Sequence, residues 1–242
     1  MTETGALVLE WARPTLDAVA GFDRALTSLT GPAPSHLTIA AITTVAEFFL
    51  PTWFRALQLR LPATNLSLLC HNSADTVALI RRGGAELGFA EAGHIPDELD
   101  HRPVLRDRLV VVVAPDHPWA ARTAISADEL AAAPLILRER GSATRSVLHD
   151  RLTALPTPLT AIPAMELTSA TAIKNAAAGG LGPAVLSALT VRSELADGGL
   201  VEVPVPGLTL ERDLHVCWRR QHRFSPPARH LLEIAVPEHP AT

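Results

Sequence analysis

The sequence predicts an α/β protein of two βα lobes facing one cleft, behind a long N-terminal helix. Three observations carry this prediction. From Leu37 onward, short apolar runs alternate with amphipathic stretches, which is the pattern of a βαβ sheet. The series is interrupted once, by the turn Pro115-Asp116-His117-Pro118, and then resumes. Ahead of it, apolar residues recur at helical spacing over the first 29 positions. A chain of 242 residues leaves room for no more than two compact units of roughly 100 residues each.

Residues 3–29 read as a helix capped by Thr2 or Thr4, with a stripe of Leu7, Trp11, Val19, Phe22, Leu26 and Leu29. Such a stripe needs a partner, so it predicts self-association into homodimers or homotetramers. Pro14 falls inside the pattern and should kink the helix, and Gly31-Pro32-Ala33-Pro34-Ser35 ends it and starts a hinge over 31–36. Strands are expected at 37–42, 66–70, 87–90 and 109–114. Helices are expected near 46–60 and 74–83, the second stopped by Gly83-Gly84. Beyond the Pro115–Pro118 turn come helix 126–132, strand 135–138, helix 142–153, strand 160–167, helix 170–178 and strands 200–205 and 213–219. A last helix, 226–235, is opened by Ser225-Pro226.

Composition excludes several classes. Hydrophobic residues are 48% and charged residues 19%, and no apolar run approaches the roughly 20 residues of a bilayer span, so no membrane partner is expected. The N-terminus carries Glu3 and Glu10 and lacks the basic start of a signal peptide, which predicts a cytoplasmic protein. Cys70 and Cys217 both lie in apolar, strand-like segments and are expected to be buried, reduced thiols. Net charge is −4, and basic residues are scattered, so no nucleic-acid-binding footprint is visible. The densest basic group, Arg219, Arg220, His222 and Arg223, reads as a solvated strand end.

The chemistry is carried by hydroxyl and amide side chains at four strand-to-helix junctions: Thr43-Thr44, Asn72-Ser73, Ser142 with Thr144, and Thr168-Ser169. In open α/β sheets, ligands bind beyond the carboxyl ends of the strands, where helix N-termini present free N–H groups and partial positive charge. Capping alone explains any one junction. Four together, two from each lobe, predict a cleft that suits a small anion or carboxylate, with Arg138 or Arg145 nearby. There is no nucleophile elbow, P-loop or H-E-x-x-H motif, and the ten histidines lack metal-ligand spacing. Neither an enzyme, a cofactor nor a metal is therefore expected. Gly179-Gly180-Leu181-Gly182 is explained by a helix end turning tightly into a strand.

The wording of the sequence resembles LysR-type transcriptional regulators over nearly its whole length. TETGALVLEWAR is similar to the start of their linker helix, NSADTVALIRRGGAELGFAE to their second helix and next strand, and LVVVVAPDHPWA to their crossover strand and turn. LILRERGSATRSVL, LTSATAIKNAAAGGLGPAVLS and LVEVPVPGLTLERDLHVCWRR follow in the family's order. The resemblance implies a periplasmic-binding-protein-like fold: a linker helix over 1–30, lobe I over 37–111 and 214–236, lobe II over 112–213, and a tail over 237–242. It also implies that Thr43, Thr44, Asn72, Ser73, Ser142, Thr144, Thr168 and Ser169 line an effector cleft between the lobes, the residues that the helix starts select independently. The wording is closest to regulators of sulfur and carbon assimilation, so sulfur oxyanions, organic acids or phosphorylated metabolites are the implied effectors. Ala143 replaces a glycine usual in the family, a change expected to tighten the cleft, and Pro183 stands where a β-branched residue is common. The family's winged helix-turn-helix is expected ahead of Met1, so DNA should be reached only through that missing domain. A transporter's solute-binding protein and a cleft enzyme are the rival readings.

Overall fold

The computed structural model describes residues 12, 35–154 and 161–236. The expected linker-helix stripe of Leu7, Trp11, Val19, Phe22, Leu26 and Leu29 lies outside them. One sheet runs through the described chain, in the order β2-β1-β3-β9-β4-β7-β5-β6, with β8 pairing on β4. The strands are β1 (His36–Ala41), β2 (Asn65–Cys70), β3 (Leu87–Glu91), β4 (Leu99–Val113), β5 (Ile136–Arg138), β6 (Met165–Leu167), β7 (Ala184–Ser187), β8 (Val201–Glu202) and β9 (Glu211–Arg219). The helices are α1 (Thr43–Phe48), α2 (Leu50–Arg60), α3 (Ser73–Arg81), α4 (Ala127–Ala132), α5 (Ala143–Thr153), α6 (Ala170–Ala178), α7 (Arg192–Asp197) and α8 (Pro226–Ala235).

Two strands join the lobes. β4 pairs antiparallel with β9 from Leu99 to Arg108, then with β7 from Leu109 to Val112. Sequence reading placed only the last third of β4, Leu109–Val113. Its first half, Leu99-Asp100-His101-Arg102-Pro103, is polar and contains a proline. It is a strand because β9 supplies a ladder along it, which is a tertiary effect that local pattern does not carry.

Each lobe buries both faces of its part of the sheet. In the first, Leu37, Ile39 and Phe89 pack on Leu57 of α2 and Leu231 of α8, while Ala40, Ala90 and Cys217 face Ile80 of α3. Gly88 permits that second contact, since a Cβ there would lie 2.6 Å from Ile80 Cγ1. In the second lobe, the alternation along β4 sends Leu109, Val111 and Val113 to one core and Val110 and Val112 to the other. The cores change lobe between Leu105 and Leu109, and again between Leu210 and Leu214.

The single helix expected near 46–60 is two, because Pro51 has no N–H with which to continue the ladder and Phe49 becomes a junction. α7 was not foreseen. Helices 170–178 and 226–235 match the expected limits, the latter capped by Ser225, which accepts from the Ala228 amide. Cys217 is buried, and burial pushes its thiol up to about 12. Cys70 corrects the expectation: it is exposed, because β2 is the sheet's edge and Cys70 its last residue. No helix among the described residues is long and apolar enough to cross a membrane.

Candidate functional site

The starts of α1 and α3 from the first lobe and of α5 and α6 from the second meet at one cleft. At its inner end a cavity of about 20 Å³ is bordered by Thr43, Thr44, Asn72, Ser73, Arg138, Ser142 and Thr144. That is room for one water-sized group. An outer cavity of about 590 Å³ shares Thr43, Asn72 and Arg138 with it and adds Thr168 and Ser169. All nine residues selected from the sequence therefore border this cleft. Ala143 also lines the inner cavity and is buried.

The side chains differ in what they already do. Asn72 caps α3 by accepting from the Asp75 amide at 2.9 Å, and Ser169 caps α6 by accepting from the Ala172 amide at 3.2 Å. Ser73 Oγ accepts from the Glu91 amide at 3.2 Å. Ser142 stands at the N-cap of α5, yet its hydroxyl makes no capping bond, which leaves it free to face the cavity. Thr43 and Thr44 are not caps, since that position falls to Ile42.

Beneath the cavity lies an arginine that the sequence reading did not single out. Arg212 of β9 and Asp107 of β4 are opposite residues of the ladder, with side chains 5% and 1% exposed. Arg212 donates from Nε to Asp107 Oδ2 at 2.8 Å, from Nη1 to Thr144 Oγ1 at 3.1 Å, and from Nη2 to Thr44 Oγ1 at 2.9 Å. One guanidinium thus ties a helix start of each lobe to the strands that join them. Ser187 Oγ donates to the other oxygen of Asp107 at 2.8 Å. Burial pushes the Arg212 pKa down, and Asp107 opposes that shift by charge and hydrogen bonding. A signal was available: Arg212 is two residues before buried Leu214, and Asp107 two before buried Leu109, so strand alternation turns both inward.

The lobes also touch across the cleft mouth. Asn72 Nδ2 donates to Glu139 Oε1 at 3.2 Å, and the Ala74 amide to the Gly141 carbonyl at 3.3 Å. Gly141 has φ +87°, and a Cβ there would lie 3.1 Å from Ala74 Cβ, so both conformation and contact favour glycine. Arg138 donates to both oxygens of Glu139, from Nε at 2.8 Å and Nη2 at 3.0 Å. Burial alone would raise the Glu139 carboxyl, but the bonds and charge of Arg138, with help from Asn72, hold it below its ordinary value. Arg145 turns away from the cleft, donating to Glu166 and the Arg138 carbonyl.

Arg138 and Arg212 are each matched by a carboxylate, the inner cavity presents hydroxyls beside His71, and the outer cavity is also bordered by Arg140, Glu47 and Asp75. The inner lining can hold a small anion by hydrogen bonds and helix dipoles. Among the described residues no group of three or more His, Cys, Asp and Glu side chains is placed to hold a metal.

Comparison with known proteins gives concordant matches. The family model described as LysR substrate binding domain matches residues 30–239. An uncharacterized HTH-type transcriptional regulator of Mycobacterium tuberculosis is 38% identical over 226 residues, 90% of this chain and 72% of the relative. The regulatory domain of Synechocystis CcmR, solved in complex with 2-PG, has a TM-score of 0.74 and 28% identity, covering 83% of this chain and 95% of that one. The effector binding domain of QuiR, solved with shikimate, has a TM-score of 0.75 at 15% identity, covering 84% and 96%, a likeness of fold.

Proposed function

The chain belongs to the LysR substrate binding domain family, and from that premise we propose that its interlobe cleft senses a small anionic metabolite for a transcriptional regulator. The observation that carries this reading is the convergence of four hydroxyl-bearing helix starts, two from each lobe, on one pair of joined cavities. The head of the ligand meets Thr44, Ser73, Ser142 and Thr144, and its body extends past Arg138 to Thr168 and Ser169. CcmR holds 2-PG and QuiR holds shikimate, which supports a small-molecule effector here. The family's relatives are transcriptional regulators, which favours sensing over catalysis and over solute transport.

The proposal divides the chain into lobe I at 37–111 with 214–236 and lobe II at 112–213, with the end of β4 from Leu109 onward packing on the second lobe's cores. Effector binding shifts the population toward one arrangement of the lobes, and the N-terminal stripe from Leu7 to Leu29 carries that change to a second subunit. In this reading the protein works in the cytoplasm as a homodimer or homotetramer and reaches DNA through the family's helix-turn-helix. Light scattering at micromolar concentration should give twice the chain mass or more, and a monomer would contradict the assembly.

The binding claim is tested by thermal shift of the purified chain against sulfate, sulfite, thiosulfate, small carboxylates and sugar phosphates. A ligand at about 100 times its Kd adds ~2.7 kcal/mol of stability. At least one anion should raise the melting temperature, and Ser142→Ala should cut the rise to about half or less. A folded, dimeric protein that no anion stabilises would contradict the reading.

A further inference from the structure

We infer that the edge of the first lobe opposite the cleft is a DNA-backbone surface, an arginine patch that takes phosphates of a duplex without regard to base sequence. The inference rests on the regulator reading above, in which the protein works on DNA, and places a contact to that DNA on the sensing region itself.

The densest basic group of the sequence, Arg219, Arg220, His222 and Arg223, ends β9 and forms the turn after it. The fold brings Arg81 and Arg82, from the end of α3, beside it. Acids take part of this charge: Glu98 pairs with Arg81 at 2.6 Å, Asp100 with Arg220 at 3.6 Å, and Glu86 with His222 at 3.2 Å. Arg82, Arg219 and Arg223 are exposed and pair with no carboxylate among the described residues. Two adjoining depressions share Arg219. One, of about 440 Å³, is also bordered by Arg223 and His36, and the other, of about 510 Å³, by Arg81 and Arg82. Unpaired guanidinium groups spread over neighbouring depressions suit a partner with several phosphates better than a single ion.

The end of α3 carries about half a negative charge, which accounts for one neighbouring cation and not for three. Arg219 is also held in place. Gly83 turns the chain with φ +75°, and a Cβ there would lie 3.0 Å from Arg219 Nη1, so the guanidinium rests against the turn. Gln221 has φ +57°, in the left-handed region, and the His222 amide donates back to the Arg219 carbonyl at 3.1 Å. This tight turn crowds the basic residues together, and a cation already positioned loses less freedom on binding.

The place of the patch favours DNA over other polyanions. β1 begins at His36, on the border of one depression, so the segment ahead of it, beyond which the family's helix-turn-helix is expected, joins the fold at this edge. α3 opens at the cleft with Asn72 and Ser73 and ends at the patch with Arg81 and Arg82, its nine residues spanning about 14 Å. Effector and phosphate therefore draw on different groups at opposite ends of one helix.

The experiment is fluorescence anisotropy of a labelled duplex of about 30 base pairs titrated with the purified chain, at salt concentrations from about 50 to about 200 mM. Three phosphate contacts give a log–log slope near about −2.7, which is roughly 40-fold weaker binding across that range. A duplex of unrelated sequence should bind with the same affinity. Arg82→Gln, Arg219→Gln and Arg223→Gln combined should flatten the slope and weaken binding by more than about 10-fold, whereas Lys at the same three positions should keep both. Circular dichroism and melting show that the variants are folded. No binding at the lowest salt, or a folded Gln variant with the parent's slope, overturns the patch, and anion stabilisation through the cleft is unaffected by either result. A polyglutamate of matched charge that binds as tightly as the duplex, and is released by the same substitutions, overturns DNA as the partner and makes this a protein-docking surface. DNA binding by a chain that no anion stabilises keeps the patch and overturns the cleft reading instead.

Discussion

Two successive rungs of the β4–β9 ladder carry the same chemistry in opposite settings. Arg106 faces Asp213, and the next pair is Asp107 with Arg212. The first pair lies in solvent, with side chains 66% and 50% exposed. The second is almost fully buried beneath the cleft. One residue of register separates an ornament of the surface from the element that links both lobes, because successive side chains of a strand point to opposite faces. The exposed pair is screened and costs entropy to order. The buried pair has no water to fall back on, so each partner depends on the other and on Thr44, Thr144 and Ser187.

The comparison breaks most visibly if the buried rung is cut. Arg212→Ala leaves Asp107 as an unpaired buried charge and should cost about 3–5 kcal/mol of unfolding free energy in urea titrations. A loss no greater than that of a surface substitution would remove Arg212 from its central place. Replacing both members, Asp107→Leu with Arg212→Met, separates stability from positioning. Much of the stability should return, since apolar pairs often substitute for buried ion pairs. Anion binding should not, because Thr44 and Thr144 would lose the group that orients them. Recovery of both would mean that the pair only fills space.

A smaller effect is expected at the cleft mouth. Asn72→Ala removes both the cap of α3 and the bond to Glu139, and should cost about 1 kcal/mol by the same titration. The pH dependence has a definite sign. Glu139 is held below its ordinary 4.5, so its contribution is complete above that value and is lost as pH falls through the lowered one. Urea midpoints measured from neutrality to about pH 3 should fall less steeply for Glu139→Gln than for the parent. An identical slope would show that the carboxylate does not contribute to folding. The smallest effect is on the exposed rung, where Arg106→Ala should leave both melting temperature and anion affinity within error of the parent.

The two rungs also mark where the sequence could be read and where it could not. Helix starts were legible because their chemistry is local: a strand end followed by Thr, Asn or Ser announces a junction whatever the rest of the chain does. Ser73, Ser142 and their neighbours could thus be assigned to one cleft without knowing any contact. Arg212 was not legible in the same way. Within Glu211-Arg212-Asp213 it resembles an exposed charged turn, and its role depends on Asp107, which lies 105 positions away in sequence. Strand alternation back from Leu214 would have turned it inward, but the strand was expected to begin at 213, one residue too late. The first half of β4 was missed for a related reason, since only its pairing with β9 makes Asp100-His101-Arg102-Pro103 a strand. Cys70 was expected to be buried because its neighbours are apolar, and only the strand order reveals β2 as an edge.

The central claim is that the cleft binds an anion through hydroxyls at the helix starts of both lobes, and Ser142 tests it most directly. Its hydroxyl makes no capping bond, so Ser142→Ala removes a ligand contact at little cost to the fold. Calorimetric titration of parent and variant with the anion that most stabilises the parent should show at least a roughly 10-fold weaker Kd in the variant. The melting temperatures without ligand should be unchanged. An unchanged Kd would place the anion elsewhere and contradict the account.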